Sequence, residues 1–274
     1  MCTSPSSTHL AVFTASISLR IFDIPYSSSP VQTPIQPVRV ISRAHDAPAH
    51  VCKIDPTSTY LASGSADGVV KVWNLQQGYV THVFKGHGGV VSALTFNYPQ
   101  DVSSVGREQT MRLITASVDT RIRVFDLSST SSSRNSGKPE VVLEGHVSVP
   151  RGLDVSRDGR WLISGGRDSV VMIWNLSSKE QSPKSSSKAK AKSFSPVLAK
   201  TIPVLERVEA LGLLYLNEDK DASTTNGIRF YTGGEKGIVK VWDGEHGKVL
   251  FTLGQEQNLI SDDQEAQRQI LDIL

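Results

Sequence analysis

Tyr60–Leu75, YLASGSADGVVKVWNL, is the stretch that decides the fold. It opens on an apolar run, passes through the polar turn Ala66-Asp67-Gly68, and ends on an alternating run that closes with Trp73-Asn74. That is the pattern of two antiparallel strands joined by a tight turn. The pattern recurs. Trp161–Leu176 reads WLISGGRDSVVMIWNL, Arg112–Leu127 reads RLITASVDTRIRVFDL, and Phe230–Gly244 reads FYTGGEKGIVKVWDG. Leu10–Ile24, LAVFTASISLRIFDI, is a degenerate copy.

A second element precedes three of the copies: Ala44-His45, Gly86-His87 and Gly145-His146. His45 stands 22 residues before Asp67, and His146 stands 22 before Asp168. His87 stands 32 before Asp119, and the polar segment Asn97–Gln109 reads as the loop that absorbs the difference. Each copy is followed by a short apolar strand: Tyr79–Phe84, Glu140–Leu143, Val197–Ile202 and Lys248–Leu253. Each of the same four is preceded by one: His50–Ile54, Val90–Phe96, Val149–Val155 and Val208–Leu214. Four strands per unit of roughly 40 to 50 residues is a propeller signature. The units fall at about 10–42, 43–84, 85–143, 144–202 and 203–254, which leaves 255–274 as a tail. Counting gives about 19 strands. The first unit is expected to hold three, lacking its innermost one.

Composition excludes several function classes. Of 274 residues, 38% are hydrophobic and 20% charged, with a formal net charge of +2, so the surface as a whole is no polyanion trap. Cys2 and Cys52 share no short spacing with each other or with histidines. A disulfide framework and a structural zinc site are therefore not expected, and a reducing compartment fits. No run of 18 apolar residues suggests a membrane span. Met1–Leu10 has neither a basic residue nor an apolar core, so it does not read as a secretory signal. No cofactor or small-molecule substrate is expected.

The Gly-His and Trp-Asn/Asp pattern resembles the WD-repeat family, over about residues 10–254. The resemblance implies an all-β, WD40-repeat β-propeller, here incomplete, with about four and a half to five blades of a longer one. It also implies a hydrogen-bonded tetrad in each blade. One set would be His45, Ser63, Asp67 and Trp73, and a second His146, Ser164, Asp168 and Trp174. The chemistry suits those residue types. The Asp accepts from an imidazole N–H, the other imidazole nitrogen faces a hydroxyl, and the hydroxyl faces the indole N–H. Removing Asp67 is then expected to strand His45, at roughly 1–3 kcal/mol. Two units depart from the pattern. The third offers His87, Thr115 and Asp119, but Phe125 has no N–H to give. The fifth offers Thr232 and Trp242, but Lys236 stands where Asp is expected and Leu205-Glu206 where His is expected. That blade is expected to rest on strand pairing and apolar packing alone.

A Ser-His-Asp hydrolase reading is set aside. An enzyme needs one triad, whereas here the set repeats and no Gly-x-Ser-x-Gly elbow is present. His9, His50, His82 and His246 are scattered without metal-ligand spacing. Catalytic and metal-binding residues are therefore not expected. Two insertions, 128–138 and 177–195, are low in complexity and read as disordered. Lys184, Lys188, Lys190 and Lys192 in the second are candidates for RNA-backbone or nuclear-import contact.

Three segments are similar to one group of WD-repeat proteins, the transducin-beta-like 3 family: Arg43–Thr59, Gly78–Gly86, and Thr201–Ala210, where TIPVLERVEA replaces a Gly-His loop. That family has two tandem propellers and a helical C-terminal domain, and this chain would be most of the first propeller. The tail ending Ile270-Leu271-Asp272-Ile273-Leu274 reads as a strand cut short. The resemblance implies a non-catalytic scaffold of the nucleolar small-subunit processome, acting in pre-rRNA processing and 18S rRNA maturation. Its partners would be other WD-repeat processome subunits, with pre-rRNA or small nucleolar RNA reached indirectly. The competing reading is a WD-repeat adaptor or a ubiquitin-ligase substrate receptor. Such receptors carry Trp-Asp-x-Arg, whereas this chain reads Trp73-Asn74-Leu75-Gln76 and Trp174-Asn175-Leu176-Ser177.

Overall fold

A computed structural model describes residues 1–24, 35–98, 111–128, 137–177, 194–214 and 227–254. Lys184, Lys188, Lys190 and Lys192, the tail 255–274 and most of both insertions lie outside the described residues. The described residues form five four-stranded antiparallel sheets and no helix. The first is β1 (Cys2–Thr3), β2 (His9–Phe13), β3 (Leu19–Asp23) and β4 (Arg39–Ile41). The second is β5 (Ala49–Ile54), β6 (Tyr60–Ser65), β7 (Val70–Asn74) and β8 (Val80–Phe84). The third is β9 (Val91–Asn97), β10 (Arg112–Ser117), β11 (Ile122–Asp126) and β12 (Val141–Leu143). The fourth is β13 (Pro150–Val155), β14 (Trp161–Gly166), β15 (Val170–Asn175) and β16 (Val197–Pro203). The fifth is β17 (Val208–Leu214), β18 (Arg229–Gly234), β19 (Val239–Asp243) and β20 (Lys248–Leu253).

In each sheet the strands lie in chain order, so each is a meander, or blade. Period-2 alternation then serves two neighbours at once. In the second blade Leu61 and Trp73 face the first blade, in a cluster with Ala11, Leu19 and Ile21. Ala62 and Val72 face the third, in a cluster with Leu94, Phe96 and Phe125. The same split repeats across the third and fourth blades, where Ile114 and Val124 meet Leu162 and Trp174. Ile163 and Ile173 then meet Phe230 and Trp242. Sheets buried on both faces explain the near-continuous apolar runs. The hairpin turns are copies of one another. Ile17, Gly68, Thr120, Ser169 and Gly237 all take positive φ, at 55°, 78°, 67°, 61° and 72°.

The first blade has four strands, not the expected three. Cys2 pairs with Ala11 and Thr3 with Leu10. A two-residue strand is too short to display any alternation. Its register is set by the turn that follows. The Ser4 hydroxyl accepts from the backbone N–H of Thr8 at 3.0 Å and of His9 at 2.9 Å. The Asp55 carboxylate does the same for Thr59 and Tyr60, at 2.7 and 2.6 Å. Ser4–Leu10, SPSSTHL, is thus the counterpart of Asp55–Leu61, DPTSTYL.

Candidate functional site: the hairpin networks

The loop before each inner strand meets the hairpin turn of the same blade, and the network that joins them is complete in the fourth blade. His146 Nδ1–H donates to Asp168 Oδ2 at 2.8 Å. The backbone N–H of Val147 donates to the same oxygen at 3.0 Å. His146 Nε2 lies 2.8 Å from Ser164 Oγ, which accepts from Trp174 Nε1–H at 3.0 Å. The side chains of His146 and Asp168 are each 1% exposed.

In the third blade the pieces are present but joined differently. His87 Nε2 meets Thr115 Oγ1 at 2.7 Å. Asp119 stands 3.9 Å from His87 Nδ1. Arg123 Nη1 sits between them, 2.7 Å from both His87 Nδ1 and Asp119 Oδ2. A guanidinium only donates, so His87 Nδ1 accepts and the proton sits on Nε2. His146 facing a carboxylate needs the opposite tautomer. Burial, then the neighbouring Arg123 charge, pushes His87 down to about 4 from an ordinary 6.5. Burial works to raise the Asp119 carboxyl, but the N–H groups of Gly88 and Arg121 and the Arg123 guanidinium outweigh it and hold it below its usual value. Phe125 stacks on Phe84 at 4.3 Å in place of the missing indole hydrogen bond.

The second blade has the lower half of the network only. His45 Nε2 meets Ser63 Oγ at 2.7 Å, and Trp73 Nε1–H donates to the same hydroxyl at 2.9 Å. The expected His45–Asp67 bond is not made. His45 Nδ1 is buried without a hydrogen-bond partner among the described residues. Asp67 is exposed and accepts from the Val69 N–H at 3.0 Å. Lys71 Nζ reaches the Ala44 carbonyl at 2.8 Å, directly beside the histidine. Burial, then the Lys71 charge, pushes His45 down to about 4.

The fifth blade is not held by packing alone. Trp242 Nε1–H donates to Thr232 Oγ1 at 2.8 Å. Glu206 takes the place of the histidine and pairs with Lys240 Nζ at 2.9 Å.

One position links these differences. Two residues before the aromatic stand Lys71, Arg123, Met172 and Lys240. Where it is the neutral Met172, the imidazole meets its carboxylate. Where it is Lys71 or Arg123, a cation occupies or flanks that gap. These four were in the quoted repeats all along, but consensus reading passes over them because they vary.

The hydroxyls of Ser63, Thr115 and Ser164 are fully buried, so none is placed to meet a substrate. The networks bond loop to hairpin inside each blade. Among the described residues no group of three or more His, Cys, Asp or Glu side chains is gathered as a metal site.

Comparison with known proteins agrees with this architecture. The repeat family described as WD domain, G-beta repeat matches residues 35–74, 78–126 and 137–175. Transducin beta-like protein 3 of Rattus norvegicus is 34% identical over 222 residues, 81% of this chain and 24% of that protein. U3 small nucleolar RNA-associated protein 13 of Saccharomyces cerevisiae is 32% identical over 210 residues, 74% of this chain and 22% of that protein. Ribosome biogenesis protein YTM1 of Kluyveromyces lactis is 33% identical over 131 residues, 47% of this chain and 28% of that protein. The chain thus spans about a quarter of the length of the first two of these relatives. Five meander blades, the repeated imidazole–hydroxyl–indole networks and three matched repeats together place the chain in the WD-repeat family of β-propeller proteins.

Proposed function

We propose that the chain is a non-catalytic scaffold in ribosome biogenesis, a subunit of the small-subunit processome that acts in pre-rRNA processing and 18S rRNA maturation in the nucleolus. The observation that carries this reading is the similarity over 81% of the chain to transducin beta-like protein 3 and over 74% of it to a yeast protein named for association with U3 small nucleolar RNA. The architecture supports a scaffold role. The polar networks are turned inward, while the loops they hold are presented outward. Val147 and Leu205 stand on equivalent loops of the fourth and fifth blades and are 87% and 90% exposed. Large apolar side chains held out on anchored loops suit a protein partner. Its partners are other WD-repeat processome subunits, and RNA is reached through them. The charges of Lys184, Lys188, Lys190 and Lys192 add electrostatic affinity for RNA that those subunits bring within reach.

The test is purification of the tagged protein from its own cells, followed by sequencing of the bound RNA and mass spectrometry of bound proteins. Pre-rRNA, U3-type small nucleolar RNA and other WD-repeat subunits are expected. Depletion of the protein is expected to accumulate unprocessed pre-rRNA and reduce 18S rRNA. Recovery of a cullin and its adaptor, with no pre-rRNA, would sink the reading. Replacing Val147 and Leu205 by Asp is expected to weaken subunit recovery while the far-ultraviolet spectrum stays that of the parent. Deleting residues 177–192 is expected to flatten the salt dependence of RNA recovery.

A further inference from the structure

Every boundary between neighbouring blades joins two unlike faces. The face that a blade turns to its successor carries a pair of smaller or branched side chains on its two middle strands, such as Ala62 with Val72. The face that it turns to its predecessor carries a larger pair, such as Leu61 with Trp73, whose aromatic sits on the third strand. That aromatic is Trp73, Phe125, Trp174 or Trp242 at the four boundaries, and in each case it is 5% exposed or less. The first kind is here called the trailing face and the second the leading face.

One face of each kind stands outside these boundaries. Leu10 precedes the buried Ala11 on β2, so it points to the other side of the first blade, opposite Phe22. That pair is a leading face. Tyr231 follows the buried Phe230 on β18, so it points away from the fourth blade, opposite Val241. That pair is a trailing face. Neither pair belongs to an inter-blade cluster among the described residues. Leu10, Phe22 and Tyr231 are half-buried where their counterparts are sealed. Phe251, opposite Val241 on the same face, is 40% exposed. The fifth blade also keeps a notch for a neighbouring inner strand. Gly64 and Gly165 make room for Val91 and Val208 of the next blade. Gly233 holds the same place in the fifth blade, and among the described residues a Cβ there would meet only Ala210 of its own blade, at 3.3 Å.

We propose that two copies of this chain associate head to tail, with the Leu10–Phe22 face of one laid on the Tyr231–Val241–Phe251 face of the other. The occupant follows from the boundaries inside the chain. All four pair a trailing face with a leading face and none pairs like with like. The open trailing face therefore fits a leading face, and the open leading face among the described residues is that of the first blade. The driving force is the one that holds the blades to each other, removal of apolar surface from water. Contact between unlike faces is heterologous, so a pair of chains retains one open face of each kind unless the ring closes. The inference concerns this chain with itself and stands whether or not the chain serves ribosome assembly.

The test uses the full 274-residue chain and reads its mass by light scattering as concentration is raised. The wild type is expected to pass from the mass of one chain to that of two or more. Phe22→Lys closes the leading face and Phe251→Lys the trailing face, since a buried ammonium without a partner is costly. Each variant alone is expected to keep the mass of one chain, with its dissociation constant raised on the order of tenfold or more. Mixed one to one, the two are expected to recover association and to stop at two chains, because one variant keeps its trailing face and the other its leading face. Hydrogen exchange of the wild type needs no variant to fold: concentration is expected to raise protection in β2 and β3 together with β19 and β20. The proposal is overturned if the wild type keeps the mass of one chain throughout, as it would if residues 255–274 covered the fifth blade or the two faces met within one chain. It is overturned as well if either variant alone associates like the wild type, if folded variants gain nothing on mixing, or if protection rises at one face only.

Discussion

At the scale of the residue, the question is what an imidazole meets inside a blade. His146 and Asp168 are sealed together, so truncating Asp168→Ala leaves a buried N–H and the Val147 N–H unpaired. The expected cost is about 1–3 kcal/mol. Asp67→Ala removes an exposed side chain that His45 does not touch, and the expected change is within about 0.5 kcal/mol. Urea melts of both variants check the contrast, and equal losses would contradict it. The pH response follows from the same geometry. His45 and His87 are pushed down to about 4 in the fold against 6.5 when free. The unfolded chain therefore binds protons that the folded chain refuses. Their contribution to stability is intact above about 6.5 and is lost progressively as pH falls toward 4. Urea midpoints measured across that window are expected to fall, and to fall less steeply once both histidines are replaced by Asn. Spacing alone located every one of these histidines. It did not tell which would find its carboxylate, because that depends on whether Lys71, Arg123 or Met172 shares the space, and a consensus pattern is blind to it.

At the scale of the element, the hairpins were legible because each one states its turn, its aromatic and its alternation in one unbroken stretch. β1 was not, since two residues carry no period. The signal for it lay in the turn instead: Ser4-Pro5-Ser6-Ser7-Thr8 repeats Asp55-Pro56-Thr57-Ser58-Thr59 with its hydroxyl or carboxylate at the same place. The close approach of blades was equally hidden. A Cβ at Gly64 would stand 2.4 Å from Val91 Cγ1 and 2.7 Å from Val91 Cβ, on the first residue of the next blade's inner strand. Gly165 meets Val208 in the same way, at 2.8 Å. Neither glycine has an unusual φ; each is there so that strands of neighbouring blades can touch. Gly64→Ala is expected to push the second and third blades apart at a cost of about 1–3 kcal/mol. The same substitution at Gly86, where nothing lies within 4 Å but φ is 120°, would destabilise through backbone strain instead. Replacing Val91 by Ala in the Gly64→Ala background is expected to recover part of the loss at the first site. Equal melting of Gly64→Ala and the parent would mean that steric contact was the wrong cause.

At the scale of the molecule, the blades cohere mainly through apolar clusters between neighbours, so stability resembles a sum over adjacent interfaces. One polar contact reaches further. Asp154 on β13 holds the backbone N–H of Leu213 in the fifth blade at 2.9 Å through Oδ2. Its Oδ1 faces Lys53 Nζ of the second blade at 3.5 Å, and Lys53 also donates to Thr95 of the third at 3.1 Å. Four blades are thus tied through one carboxylate at the inner strands. The two halves of this contact differ in worth. Lys53 is 45% exposed, so water screens its charge and the ion pair contributes about 0–1 kcal/mol. The Leu213 N–H is part-buried on the inner strand of its blade and donates to Asp154, so losing that acceptor costs about 1–3 kcal/mol. Asp154→Asn keeps an oxygen for the Leu213 N–H and loses only the charge, while Asp154→Ala loses both. The Ala variant is therefore expected to melt well below the Asn variant, and added salt is expected to bring the wild type toward the Asn variant without moving the Ala variant. If the two variants melt together, the backbone contact carries nothing, and the fourth and fifth blades are coupled by their apolar cluster and the Glu209 ion pairs instead.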